Sequence, residues 1–189
     1  MDAVFTRRSI RKYTDDPVTD DTLRILLAAA MAAPSAGDER PWHFVVIRSK
    51  RIRNRITEIH PYSQMIRHAP AAILVCGEQV LQKHTGFWPQ DCAAATENIL
   101  IEAQQLGLGA VWLGVYPVRG VAEGLSRLLR IPEHIMPFSL VVLGHPAEHK
   151  EPADRFDDSR IHWGRWRRTA VKTEAADSGV RRDAWETDR

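Results

Sequence analysis

The chain has 189 residues, 44% hydrophobic and 26% charged, with a formal net charge of +2. That length suits one domain with a real core, since about 150 residues already bury roughly two-thirds of their unfolded surface, and it would crowd two. The near-balanced charge gives no general ground for nucleic-acid binding, so any basic feature that matters has to be local. The opening MDAVFTRRSIRKY has no apolar leader region, and no later run approaches the ~20 apolar residues that span a bilayer. A cytoplasmic protein with no membrane attachment is therefore expected. Cys76 and Cys92 fit no CxxC or metal spacing and are expected as buried small hydrophobes in a reducing compartment.

In chain order, Arg7, Arg8 and Arg11 come first, with Ser9 among them. On a helix, positions 7, 8 and 11 share one side, and such a cluster can neutralise a phosphate dianion through planar, charge-assisted forks. A solvated basic start or a nucleic-acid contact is the alternative. Thr19 to Ala33 predicts a helix, capped by Thr19, Asp20 and Asp21, with Leu23, Leu26, Leu27 and Ala30 at i, i+3, i+4 and i+7. Pro34 ends it. The connection from Ala32 to Trp42 then carries Ser35, Gly37, Asp38, Glu39, Arg40 and Pro41, more chemistry than a turn requires.

Trp42 to Ile47 reads as a short strand buried on both faces, and Ala71 to Cys76 repeats its character. One or two short helices are expected between them. The stretch TGFWPQD places Phe87 and Trp88 in a loop before a helix, where large apolar groups need a reason to be, whereas Trp42 and Trp112 are read as core. Asp91 to Leu106 predicts a long helix whose Ala93, Ala94 and Ala95 would let another backbone come close. Gly107 and Gly109 are read as a helix cap and turn, Ala110 to Tyr116 as a strand, Val118 to Leu129 as a helix and Phe138 to Leu143 as the last strand. The order suggests one α+β layer fold without internal repeats. After Trp166 periodicity fades, and residues 167–189 are expected to form a mobile polar tail.

Several common chemistries are missing. GLGAVWLG follows a helix and opens a strand, the reverse of the context a dinucleotide fingerprint needs. The eight histidines show no HExxH spacing, and His145 and His149 are separated by Pro146, so no metal site is expected. No GxSxG elbow or P-loop is present.

Four segments in order, RRSIRKY, APSAGDERPWHFVVI, WPQDCAAATENILIEAQQLGLGAVWLGVYP and LVVLGHPAEHKEPADRFD, resemble the motifs of the nitroreductase family of flavin mononucleotide (FMN) enzymes, in its compact bacterial and archaeal form. The resemblance covers about Val4 to Trp166. It implies a single FMN-binding domain over residues 1–166, with a three-layer α/β/α arrangement, a mostly antiparallel central sheet and an intertwined homodimer holding FMN at its interface. By that resemblance Arg7, Arg8, Ser9 and Arg11 would bind the phosphate and ribityl side, with Arg155 adding charge at the phosphate. Pro34, Ser35, Ala36 and Asp38, with Arg40 beside them, would reach the partner's flavin. Leu113 and Gly114 would lie at the reactive N5 edge, and Tyr62, Met65, Phe87 and Trp88 would line the substrate pocket.

NADH or NADPH would then pass a hydride to the flavin and leave, so that a nitroaromatic, quinone or other flat acceptor could take the same face in a ping-pong cycle. No side-chain acid or base is required. The chain departs from the family pattern at Asp38, where Asn is usual, and at Arg40, where Gln is usual. An ionised Asp only accepts, so it could read the flavin N3–H while its charge opposes reduction, and Arg40 could offset that charge; the two are expected to act as a coupled pair. A dehalogenating or flavin-degrading relative, which would need a substrate lid, and a non-catalytic flavin carrier are the competing readings.

Overall fold

The computed structural model describes residues 2–81 and 83–166. The expected tail over residues 167–189 lies outside them. The chain divides into two compact units, Met1–Pro152 and a second that begins at Ala153.

The first unit is built on a four-stranded sheet in the order β1-β2-β4-β3, with every neighbouring pair antiparallel. The strands are β1 (Trp42–Ile47), β2 (Ala71–Glu78), β3 (Gly109–Gly114) and β4 (Ile135–Gly144). Among the described residues five α-helices accompany them: α1 (Ala3–Thr6), α2 (Asp20–Met31), α3 (Lys50–Ile59), α4 (Trp88–Gln105) and α5 (Arg119–Leu129).

Alternation along β2 makes the layers. Ala71, Ile73 and Val75 face one core with Leu23 and Leu26 of α2 and Cys92, Ala95 and Ile99 of α4. Ala72, Leu74 and Cys76 face the other, with Ile56 of α3 and Val121 and Leu125 of α5. Thr19 starts α2, its hydroxyl accepting the Thr22 N–H at 3.1 Å, and Asn98 Nδ2 of α4 donates to Ala29 O at 2.9 Å, tying the two helices of that layer together.

Three expectations are corrected. The strand β1 is not buried on both faces: it sits at the sheet edge, where only β2 covers it, and His43 and Val46 are exposed. The arginine cluster is not helical, because α1 stops at Thr6 and the chain then runs extended, with Ser9 bridging Ala110 in parallel. Gly109 is not a turn residue but the first residue of β3, where a Cβ would come within 2.6 Å of the Ile10 side chain crossing over it. Gly107, at φ +72°, does end α4 as expected.

Both cysteines are free and buried, and burial pushes the Cys76 thiol up to about 12. In the second unit a short turn at Asp158–Arg160 is capped by Asp157, whose carboxylate accepts the Ser159 N–H at 3.1 Å.

Candidate functional site

The extended stretch after α1 is fastened along β3 and the 145–151 loop by main-chain bonds. Ile10 N–H donates to Ala110 O, Thr14 N–H to His145 O and Ala147 N–H to Lys12 O, at 2.9 to 3.0 Å. The buried Tyr13 hydroxyl donates to Ile10 O at 2.6 Å. Glu148 grips the strip from outside, its Oε1 accepting from Arg11 N–H at 2.5 Å and Lys12 N–H at 3.3 Å, with Lys150 Nζ at 3.2 Å.

Those contacts, chiefly the Arg11 N–H, hold the Glu148 carboxyl below the usual carboxylate range. A depressed folded pKa stabilises the native state above the unfolded value, and that contribution is lost as pH falls through the folded one. Acidification below roughly pH 4 is thus expected to unlatch the strip, and a melting series in acid should lose less stability in Glu148→Gln than in the parent. Equal acid sensitivity would refute the latch.

An extended strip sends alternate side chains opposite ways, so the arginines separate. Arg7 Nε lies 3.0 Å from Glu97 Oε1 on α4. Arg8 turns to the other side, donating to Glu151 O and lining a cavity of about 500 Å³ with Ile10 and Lys150. Lys150 Nζ also donates to Ser9 O at 2.7 Å. Arg11 enters a second cleft of about 610 Å³ together with His60, Tyr62, Gln64, Met65, Trp112, Leu113 and Gly114.

That cleft brings together Arg11, Tyr62, Met65, Leu113 and Gly114 from the expected set. Its walls are mostly apolar, and its size falls in the range of ordinary ligand sites. Gly114 is exposed at the end of β3, and a Cβ placed there would meet no heavy atom within 4 Å, so the strand end opens on free space. A flat ring can approach that backbone only because no side chain stands on it.

The loop from Pro34 to Arg40 is not among the walls of that cleft. It is shaped by Gly37, Asp38 and Arg40, all at positive φ, and Gly37 passes so close to His84 that a Cβ would lie 2.9 Å from its ring. Arg40 Nε and Nη2 each donate to Asp38 at 2.7 Å, a bidentate pair on the surface that keeps the Asp38 carboxyl below its usual range. The Ser35 hydroxyl accepts from Arg40 N–H at 3.0 Å. Underneath, the buried Asp91 of α4 accepts the Ala36 N–H at 3.0 Å through Oδ1.

Trp88 is no loop residue. It is the first residue of α4, 5% exposed, and its ring stands edge-on to Tyr116 at 4.9 Å and Phe138 at 6.0 Å. Its ring is packed in the core, away from the surface that Phe87, still exposed, presents. Arg155 belongs to the second unit. Sequence reasoning passed over His60, Asp91, Glu148 and Lys150; an Asp in the first turn of the central helix was the one legible signal among them.

Among the described residues no cluster of three or more His, Cys, Asp or Glu could hold a metal, and no helix is long and apolar enough to cross a membrane. The family model of the nitroreductase family matches residues 4–60 and 59–145. A relative from Methanothermobacter thermautotrophicus, named as an NADH dehydrogenase/NAD(P)H nitroreductase, is 52% identical over 166 residues, 88% of this chain and 87% of its own. A solved structure of the same name from Parabacteroides distasonis superimposes with a TM-score of 0.84 at 36% identity, covering 87% of this chain and 96% of that one. A protein from Desulfovibrio desulfuricans, named as a nitroreductase and solved in complex with FMN, gives 0.75 at 29% identity, over 87% and 96%. Motifs, sheet order and these likenesses agree, and the chain belongs to the nitroreductase family.

Proposed function

We propose that this chain is an FMN-dependent NAD(P)H oxidoreductase that works by ping-pong hydride transfer to a flat acceptor such as a nitroaromatic or quinone, as a cytoplasmic homodimer with FMN at its interface. The cleft at the end of β3 carries the reading: apolar walls from Trp112, Leu113 and Met65, a bare backbone at Gly114 and one cation, Arg11. The FMN bound by the Desulfovibrio relative and the NAD(P)H in the name of the Methanothermobacter relative support it. When bound, FMN supplies a ring nitrogen that accepts and gives up a hydride.

The chain's own residues do the rest. Leu113 and Gly114 offer an unobstructed peptide edge to the reactive side of the ring. Arg11 supplies positive charge within the cleft for a phosphate. Tyr62 and Met65 cover the ring face and keep water from it. No proton-transferring side chain is needed.

Two observations support the dimer. The Pro34 to Arg40 loop, which the family motif assigns to the flavin, lines no part of the cleft within one chain, as expected if a second copy supplies it. Within the first unit, Phe5 of the N-terminal helix also presents its ring to solvent, 74% exposed, where a second copy could cover it.

Stopped-flow mixing of the purified yellow protein with NADH and with NADPH, then with a panel of acceptors, tests the reading, alongside light scattering for mass. Bleaching and reoxidation are expected from a dimer. Flavin that neither nucleotide bleaches would point to a carrier, and a colourless protein would sink the flavin reading. The Asp38–Arg40 pair gives a finer test: midpoint potentials of Asp38→Asn, Arg40→Gln and the double variant are expected to be non-additive, and simple addition would refute coupling.

A further inference from the structure

The geometry points to His60 as a positioning residue that couples the acceptor-side loop to the flavin-side end of β3; this rests on the flavin reading above. His60 follows the last residue of α3, its main-chain N–H donating to Ile56 O at 2.9 Å. Its ring is 4% exposed and forms part of the cleft lining. One ring nitrogen, Nε2, lies 2.9 Å from Gly114 O. The other, Nδ1, lies 3.2 Å from Tyr62 N.

Those two partners assign the tautomer. A carbonyl oxygen only accepts and a main-chain N–H only donates, so Nε2 carries the proton and Nδ1 presents its lone pair. Each nitrogen then has one job. Nε2–H fixes the peptide plane of Gly114 at the strand end, and Nδ1 fixes the start of the loop that carries Tyr62 and Met65. The turn closes on the same residue, with the Ser63 hydroxyl donating to His60 O at 2.7 Å.

The far end of the loop is held independently. Arg53, buried beneath it, donates Nη1 to Ile66 O at 3.0 Å, to Arg67 O at 3.3 Å and to Ala69 O. With the far end stapled, movement of Tyr62 and Met65 against an acceptor is referred to the near end. There the single side chain reaching Gly114 is His60 among the hydrogen bonds described. Acceptor binding and the ring-edge contact therefore share one imidazole.

Three variants separate its two halves. His60→Gln places an amide N–H near the Nε2 position and removes the Nδ1 acceptor; His60→Asn keeps an acceptor near Nδ1 and removes the bond to Gly114; His60→Phe removes both. Losing one such bond changes an equilibrium by about five- to tenfold. His60→Gln is expected to keep the FMN dissociation constant and flavin absorption spectrum of the parent while raising KM for the acceptor about fivefold. His60→Asn is expected to weaken FMN about tenfold and shift the spectrum, with less effect on KM. Nitrogen-15 NMR of the ring in FMN-free protein should report a protonated Nε2 and a bare Nδ1.

Gln and Asn variants that behave alike, or an Nδ1-protonated ring, would overturn the coupling. A parent that takes up no FMN would instead overturn the flavin reading, with the ring tautomer still deciding whether His60 bridges the two elements. If His60→Phe fails to fold, the Gln and Asn pair and the NMR measurement carry the decision.

Discussion

Gly114→Val is expected to weaken FMN about a hundredfold, near 2.8 kcal/mol, while the protein melts within about 2 °C of the parent. Both halves follow from the same geometry. The strand end opens on space in which a Cβ meets nothing within 4 Å, so the folded chain gains no clash, and valine suits a strand backbone. On the proposed placement of the flavin, the branched side chain would stand where the ring edge approaches Leu113 and Gly114 and would hold it off the main chain. Isothermal titration with FMN and a thermal melt measure the two quantities. Unchanged affinity would place the flavin elsewhere, and loss of folding would show that Gly114 is needed by the strand rather than by the ligand.

Truncation of Trp88 should act in the opposite way, on stability and not on the site. Trp88→Ala empties the space between Gly77, Tyr116 and Phe138 and is expected to cost about 3 to 5 kcal/mol. For a chain of this length that lowers the melting temperature by roughly 10 °C. Approached from the other side, Gly77→Ala should also destabilise, since its Cβ would lie 2.3 Å from the Trp88 ring and overpacking costs roughly 1 to 3 kcal/mol. KM for the acceptor is expected to stay near the parent value in whatever Trp88→Ala protein remains folded. A raised KM with unchanged stability would return Trp88 to the substrate pocket, the role its apparent loop position suggested.

A Trp-Pro pair after Gly86 and Phe87 reads as loop, yet proline is welcome in the first turn of a helix, and α4 begins at Trp88 itself. The periodic helices were legible for the usual reason: α2 and α5 lie within a residue or two of their expected ends because their apolar stripes and caps are local features. The strand β4 runs further than Phe138–Leu143, to Ile135–Gly144, because pairing with both β2 and β3 extends it beyond its apolar run. At β1 the apolar composition suggested two covered faces, and only the strand order revealed an edge.

The site divides along the same line. Sequence motifs named Arg11, Leu113 and Gly114, while Tyr62 and Met65 were expected on the substrate face, and these five do meet in one cleft. The basic cluster, in contrast, could not be apportioned by spacing: three arginines close in sequence share a side if helical and separate if extended, and the bridge from Ser9 to Ala110 decides for the second. His60 and Glu148 gave no local signal for their long-range contacts, whose partners Gly114 and Arg11 lie 54 and 137 residues away. By itself, the sequence determined the α+β element order, since that rests on periodicity, while the family and the segments expected at the site came from the resemblance of its motifs. Only the tertiary structure decided which arginine enters the cleft, that His60 reaches Gly114 and that Asp38 and Arg40 meet in a bidentate contact, since each depends on backbone conformation and distance in space.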